Sequence, residues 1–251
     1  MPPLITCLCP TFRRPRLLEE ALACFEQQTL PLSQRELFVC DDSGDLGLQS
    51  GPGWQVIGGP SGQKFQNLGE KYNYLLAQVR SPYVALWEDD DLYFPEHLAI
   101  CLQQLQQSAC LVKPQWVWSD YVAGSLTRER GSGRFLSSCA FPAGGPLFPV
   151  DGTADFDQRF MRSAIHQMGL AEFGTPTFLF RWHTGHYHAQ HFMPAPESQG
   201  WEQRCQSFAR PTPGYQLQPQ LSRRAKLLLE LARQALPGVQ RLDIPDPEQT
   251  T

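Results

Sequence analysis

The sequence predicts an α/β protein with a mainly parallel sheet and helices on both faces. Three observations lead there. Apolar runs of strand length alternate with segments of helical periodicity through about Gln107. The first run is nearly continuous, as expected of a strand covered on both sides rather than wetted on one. The strand-length runs give way to polar, Gly-rich or Pro-containing stretches that suit loops at the sheet edges.

"LITCLC", Leu4 to Cys9, is the first strand, and Pro10 follows it. Leu17, Leu18, Ala21, Leu22 and Phe25 then recur at helical spacing, with Pro15 at the helix start. Glu36 to Cys40 read as a second strand that ends in the turn composition "DDSGD". Trp54 to Ile57 form a third, followed by the flexible loop "GGPSGQ". Leu68, Tyr72, Leu75, Leu76 and Val79 mark a second helix. Tyr83 to Trp87 form a fourth strand. Leu98, Cys101, Leu102 and Leu105 mark a third helix, with Pro95 near its start and Glu96 in its first turn.

The remainder is less regular. Gln115 to Gly124 read as one strand, and Ser138 to Gly152 as a Gly- and Pro-rich loop. Asp155 to Met168 are expected to be helical, and Thr175 to His183 extended. Arg223 to Leu236 form an amphipathic helix, followed by the frayed tail "LDIPDPEQTT". No internal repeat is present.

A chain of 251 residues suits one α/β domain with elaborations, or two small ones. A formal net charge of -4 argues against a general nucleic-acid binder. The N-terminus lacks a basic start followed by a long apolar run, so no signal peptide is expected. No apolar stretch approaches the roughly 20 residues of a membrane helix, and a cytoplasmic location is expected. The eight cysteines include no CxxC pair. Cys7 and Cys9 fall on one face of the first strand, and Cys24 and Cys101 in helical patterns. They read as small buried hydrophobes in a reducing compartment rather than as a disulfide framework.

One stretch demands a physical explanation. "VALWEDDDLYFPEHL" brings an apolar run straight into Glu88, Asp89, Asp90 and Asp91. Two carboxylates ~4 Å apart repel by about 4 kcal/mol at an effective dielectric near 20. Solvent, a helix N-terminus or a bound cation must offset that. Trp87 reads as a core residue beside the acids. In open parallel sheets, ligands bind beyond the carboxyl ends of the strands. That rule gathers Thr11 to Arg14, Asp41 to Ser43 and Glu88 to Asp91 on one rim.

The loop after the first strand is "PTFRRP". It is neither the G-x-G-x-x-G of a dinucleotide site nor a P-loop, which speaks against a dehydrogenase or an ATPase. Arg13 and Arg14 suit either phosphate pairing or a solvated surface. "DDSGDLGLQSGP" lacks the Gly and Glu of a calcium loop. A divalent ion held by one or two carboxylates and by substrate phosphate oxygens would fit the acid run.

"ITCLCPTFRRPRLLEEAL", "ELFVCDDSG" and "GEKYNYLLAQVRSPYVALWEDDDLYFPEHL", in that order, resemble the family 2 glycosyltransferases, which have the A-type nucleotide-sugar fold. The resemblance covers about the first 107 residues. It implies a metal-dependent, inverting enzyme that moves a sugar from a nucleoside diphosphate sugar to a hydroxyl on a glycan, a lipid-linked or a small-molecule acceptor. It assigns Thr11 and Asp42 to the nucleoside, with Asp41 as neighbour. Glu88-Asp89-Asp90 match the D-x-D triplet, with Glu in place of the first Asp. Asp90 is the expected ligand for Mn²⁺ or Mg²⁺, with Glu88 beside it and Asp89 toward the donor, while Asp91 caps the following turn. "GEKYN" places Lys71 and Asn73 near the donor, and Tyr72 stands where a basic residue is common.

The same resemblance assigns the base to Asp157, which with Phe160 fits an acid-x-x-aromatic pattern, or to Asp155. Acids two apart on a helix face different ways, so one of them serves. Alternatively, both simply favour a helix N-terminus. "FLFRWHTGHYHAQH" resembles a late segment of the family and carries His188 over as a further metal or diphosphate contact. His183, His186 and His191 surround it, which raises zinc as an alternative, but neither a nearby Cys pair nor HExxH accompanies them. Residues 1–112 are the expected nucleotide-sugar-binding half, 113–218 the acceptor and catalytic half of the same domain, and 219–251 a C-terminal helix and tail. The rival readings are a sugar-phosphate nucleotidyltransferase, whose Gly-rich loop is missing here, and a non-catalytic nucleotide-sugar-binding protein.

Overall fold

The computed structural model describes residues 2–58, 65–120, 125–153, 155–181, 211, 214–235 and 238–244. Strand β1 (Ile5–Thr11) is buried throughout. Helix α1 (Pro15–Glu26) follows with Pro15 in its first turn, where a missing N–H goes unused in any case. β2 (Arg35–Asp41), the two-residue β3 (Ser50–Gly51) and β4 (Trp54–Gly58) come next. Helix α2 (Leu68–Leu76) is capped by Asn67, whose side chain accepts the Glu70 N–H at 2.9 Å. β5 (Tyr83–Leu86), β6 (Leu92–Tyr93) and α3 (His97–Ser108) complete the first half.

The second half begins with β7 (Leu111–Pro114), β8 (Trp116–Ser119) and β9 (Ser125–Arg130). β10 (Ala140–Pro142), α4 (Phe156–Met168), β11 (Leu170–Phe173) and β12 (Phe178–Phe180) follow. Ser222 caps α5 (Arg223–Gln234) by accepting the Ala225 N–H at 3.1 Å, and β13 (Arg241–Asp243) comes last.

Eight strands form one sheet in the order β11-β7-β10-β5-β1-β2-β4-β3. The central β5, β1, β2 and β4 are parallel, and β10 runs antiparallel between β5 and β7. A second sheet has the order β13-β9-β8-β12-β6. Alternation along β1 divides the core in two. Cys7 and Cys9 pack with Leu18 and Phe25 of α1 and Leu98 and Leu105 of α3. Leu8 packs on the other face with Tyr72 and Leu75 of α2 and Phe160 of α4. The expected cover on both faces is therefore present. α5 adds Ala225, Leu228 and Ala232 to the first of these cores. All described cysteines are free thiols. No helix among the described residues is long and apolar enough to cross a membrane.

Several elements differ from the sequence reading: β3, β6, β9 and β11 have no counterpart in it, and the tail expected to be frayed carries Leu242 and Asp243 of β13, paired with β9. Of the single strand expected over Gln115–Gly124, Trp116–Ser119 form β8 of the small sheet, while β7, which precedes it at Leu111–Pro114 and joins the large sheet, has no counterpart in the sequence reading. Pro114 ends β7, where it has no N–H to carry a ladder onward. Residues 121–124 lie outside the described residues. The Gly- and Pro-rich loop over Ser138–Gly152 contains β10, held by partners far away in sequence: Leu86 N–H donates to Cys139 O at 2.9 Å, and Ala143 N–H to Pro82 O at 2.8 Å. Finally, the strand expected over Thr175–His183 narrows to β12, and residues 182 and 183 lie outside the described residues. At the helix ends, Asp155 and Glu96 are the N-caps of α4 and α3 rather than first-turn residues.

His97 opens α3, fully buried, with Nδ1 2.8 Å from Thr177 Oγ1. Burial pushes its imidazole down to about 3. A histidine in the unfolded chain titrates near about 6.5, so on acidification the unfolded state takes up the proton first. The contribution is fully present above that value and is lost as pH falls toward about 3. Between about pH 6 and 4, the wild type should lose roughly 1.4 kcal/mol more per pH unit than His97→Gln in urea melts. A stability gap that does not change over that range would refute the assignment.

Candidate active site

The parallel ladder brings β1 and β2 to a common end, with Thr11 paired to Asp41. β5 lies on the other side of β1, so the acid run that follows it arrives at the same rim. A cavity of about 370 Å³ lies there, a size within the usual range for small-ligand sites. Thr11, Asp42, Lys71, Glu88, Asp89, Asp90 and Asp157 all line it. Seven residues singled out from the sequence thus meet in one cavity.

Their contacts are dense. Thr11 Oγ1 donates to Asp89 Oδ2 at 2.6 Å. Lys71 Nζ donates to Asp42 Oδ1 at 2.5 Å and also to the carbonyl of Thr11. This tethers the ends of β1 and β2 to α2. Tyr72, fully buried, donates its hydroxyl to Glu88 Oε1 at 3.1 Å, and Glu88 N–H donates to Tyr93 Oη at 2.8 Å. Trp87 lies in the core beside the acids, stacked on Tyr93 at 3.7 Å.

The electrostatics follow from crowding. Burial, then Asp90 and Asp91, push the Glu88 carboxyl well up. Burial and Asp90 likewise raise Asp91, against hydrogen bonds from the Arg181 N–H and Ser137 that favour its charged form. Burial also raises Asp89, opposed chiefly by the Arg14 guanidinium. Carboxylate oxygens of Glu88, Asp90 and Asp91 lie within 4.8 Å of one another. Hard oxygen donors at that spacing fit a hard divalent cation such as Mg²⁺ or Mn²⁺.

Four expectations look different in place. Asp41 turns into its own loop, accepting from the N–H groups of Ser43 and Leu46, each at 3.0 Å, and does not line the cavity. Asn73 spends both ends of its amide on the backbone of Phe148, at 2.8 and 2.9 Å, so it pins a loop rather than lining the pocket. Asp91 does not cap the following turn. It accepts from Ser137 Oγ at 2.8 Å and from the Arg181 N–H at 3.0 Å, joining the acid run to the second half. Asp155 points outward, its side chain 56% exposed and 3.6 Å from Arg162, while Asp157 is buried in the cavity wall. His188 lies outside the described residues, as do His183, His186 and His191.

The structure adds residues that the motifs did not single out. Phe12, Phe65 and Phe156 make much of the lining apolar. Arg134 and Ser137 enter from the segment after β9, where no motif marked them. Arg14, which suited phosphate or solvent equally, instead reaches the acids: Nη1 lies 2.7 Å from Asp90 Oδ2, and Nε 3.1 Å from Asp89 Oδ2.

No family model matches the chain, and no curated protein matches it in sequence. Solved structures do match. TarS 1-349 from S. aureus in complex with UDP-GlcNAc is 14% identical with a TM-score of 0.60, over 75% of this chain and 61% of that one. TarS 1-349 alone gives 14% and 0.58, over 72% and 60%. The mannosyltransferase PcManGT from Pyrobaculum calidifontis, in complex with GDP-Man and Mn2+, gives 16% and 0.56, over 75% and 60%. The chain thus spans about three fifths of the length of these proteins.

Proposed function

We propose that this chain, whose fold is that of the A-type glycosyltransferases, is a metal-dependent family 2 enzyme that moves a hexosyl group, with inversion, from a nucleoside diphosphate sugar to a hydroxyl acceptor. The observation that carries this reading is the single cavity shared by Thr11, Asp42, the Glu88–Asp90 triplet and Asp157. The nucleotide sugars bound in two of the matching structures support it: UDP-GlcNAc on TarS and GDP-Man on PcManGT.

In this reading Asp42, held by Lys71, and Thr11 meet the nucleoside. Asp90 and Glu88 would hold Mn²⁺ or Mg²⁺, and Asp89 anchors the loop toward the donor. When bound, the cation supplies Lewis-acid stabilisation to the departing diphosphate. Asp157 takes the proton from the acceptor hydroxyl. The oxygen then bonds to the anomeric carbon as that carbon's bond to the diphosphate breaks, and nucleoside diphosphate leaves. Asp155, turned to solvent, is assigned no part. His188 is kept as a further metal or diphosphate contact, and a cytoplasmic location is kept with the reading.

A thermal-shift screen of nucleoside diphosphates with and without Mn²⁺ tests the proposal. A ligand at a hundred times its Kd stabilises by about 2.7 kcal/mol. One diphosphate is expected to raise the melting temperature only with the cation, and Asp90→Ala to abolish the rise. Equal shifts with and without Mn²⁺ would remove the metal from the reading. Stabilisation without turnover of the corresponding sugar donor would favour a binding protein.

A further inference from the structure

We infer that Arg14 is a resident cation of the acid cluster, competing with a divalent ion for Asp90 and so setting how tightly the ligand-free pocket takes metal. The inference rests on the donor-pocket reading above and extends it to a residue that reading leaves without a role.

The geometry is that of a fork. Arg14 Nε lies 3.1 Å from Asp89 Oδ2, Nη2 pairs with Asp89 Oδ1, and Nη1 lies 2.7 Å from Asp90 Oδ2. One guanidinium therefore spans two neighbouring carboxylates. The Arg14 side chain is only 10% exposed, and those of Asp89 and Asp90 are 0% and 4% exposed, so solvent screens the contact weakly. Arg13, the preceding residue, sits in the left-handed region at φ 54°, which disfavours a side chain. Thr11, at the other end of the turn, holds Asp89 in the same arrangement.

Asp90 belongs to both groups. It accepts from Nη1 of Arg14, and its carboxylate also lies with Glu88 and Asp91 in the cluster of oxygens that fits a cation. A divalent ion entering there meets a carboxylate already partly neutralised and a like charge beside it. Either the guanidinium withdraws from Asp90 or the ion binds weakly. An incoming diphosphate offers Arg14 another anion suited to its planar fork. Diphosphate and cation then each ease the entry of the other, as linkage requires.

The test is a Mn²⁺ titration followed by electron paramagnetic resonance of the free ion, on wild type, Arg14→Gln and Arg14→Lys. Without diphosphate, Arg14→Gln is expected to bind Mn²⁺ about tenfold tighter or more, the worth of a charged hydrogen bond removed from a competitor. Arg14→Lys should fall between, because a point charge does not span both carboxylates. A merely structural arginine predicts the opposite sign, since losing it would loosen the site and weaken the ion. Equal or weaker Mn²⁺ binding by Arg14→Gln, with binding by wild type intact, overturns this inference alone. No Mn²⁺ binding by any of the three removes the metal reading of the site along with it. If Arg14→Gln fails to fold by circular dichroism, Arg14→Lys against wild type decides the sign.

Discussion

Asp157→Asn is expected to lower the rate of sugar transfer by about 10²–10⁴-fold, the usual contribution of a positioned general base. The loss should fall on kcat. Stabilisation by the donor's nucleoside diphosphate with Mn²⁺ should stay as in the wild type. The substitution keeps the local structure, because Asp157 Oδ1 accepts the Gln158 N–H at 2.7 Å and an amide oxygen can do the same. Asp155→Asn is the control. Its side chain is more than half exposed on the outer side of the same helix start, so it should change turnover by no more than about twofold, as for an ordinary surface position. If Asp157→Asn retained wild-type turnover, the base would have to be another group.

The second large effect is on stability. Arg181 joins the two halves through three contacts. Its N–H meets Asp91 Oδ1 at 3.0 Å, its Nε meets the Asp90 carbonyl, and its Nη1 pairs with Glu20 of α1. Glu20 is itself buried and accepts the Ser222 N–H at 3.3 Å at the start of α5. Removing one member of a buried ion pair leaves the other charged and unpaired, at a cost of about 3–5 kcal/mol. Arg181→Leu should therefore lower the melting temperature by roughly 6–20 °C. Adding Glu20→Leu should recover a large part of that loss, because the stranded charge is then gone. A single variant as stable as wild type, or a double variant no better than the single, would remove Arg181 from this role.

The first half of the molecule was legible because its signals are local. A strand covered on both faces must be nearly apolar along its length, and "LITCLC" is, with Thr6 its one polar side chain. A parallel sheet places its ligands beyond the strand ends, so strand order alone gathers Thr11, Asp42 and Asp90 on one rim. β10 was not legible. It has three residues amid glycines and prolines, and it is a strand only because β5 and β7 leave a place between them. Asn73 shows the limit of a resemblance: it lies on α2 as expected, but the backbone of Phe148 takes its amide.

Composition and periodicity by themselves determined the alternation of buried strands with helices, and with it the rim to which the acids are carried. Only tertiary structure decided what the acids meet there. Asp89 and Asp90 lie 75 and 76 residues from the arginine that spans them. Asp91 is 90 residues from the N–H that it accepts. A polar side chain's partner is set by where distant backbone arrives, and no local pattern encodes that. An apolar residue needs only to leave water, which its own periodicity records.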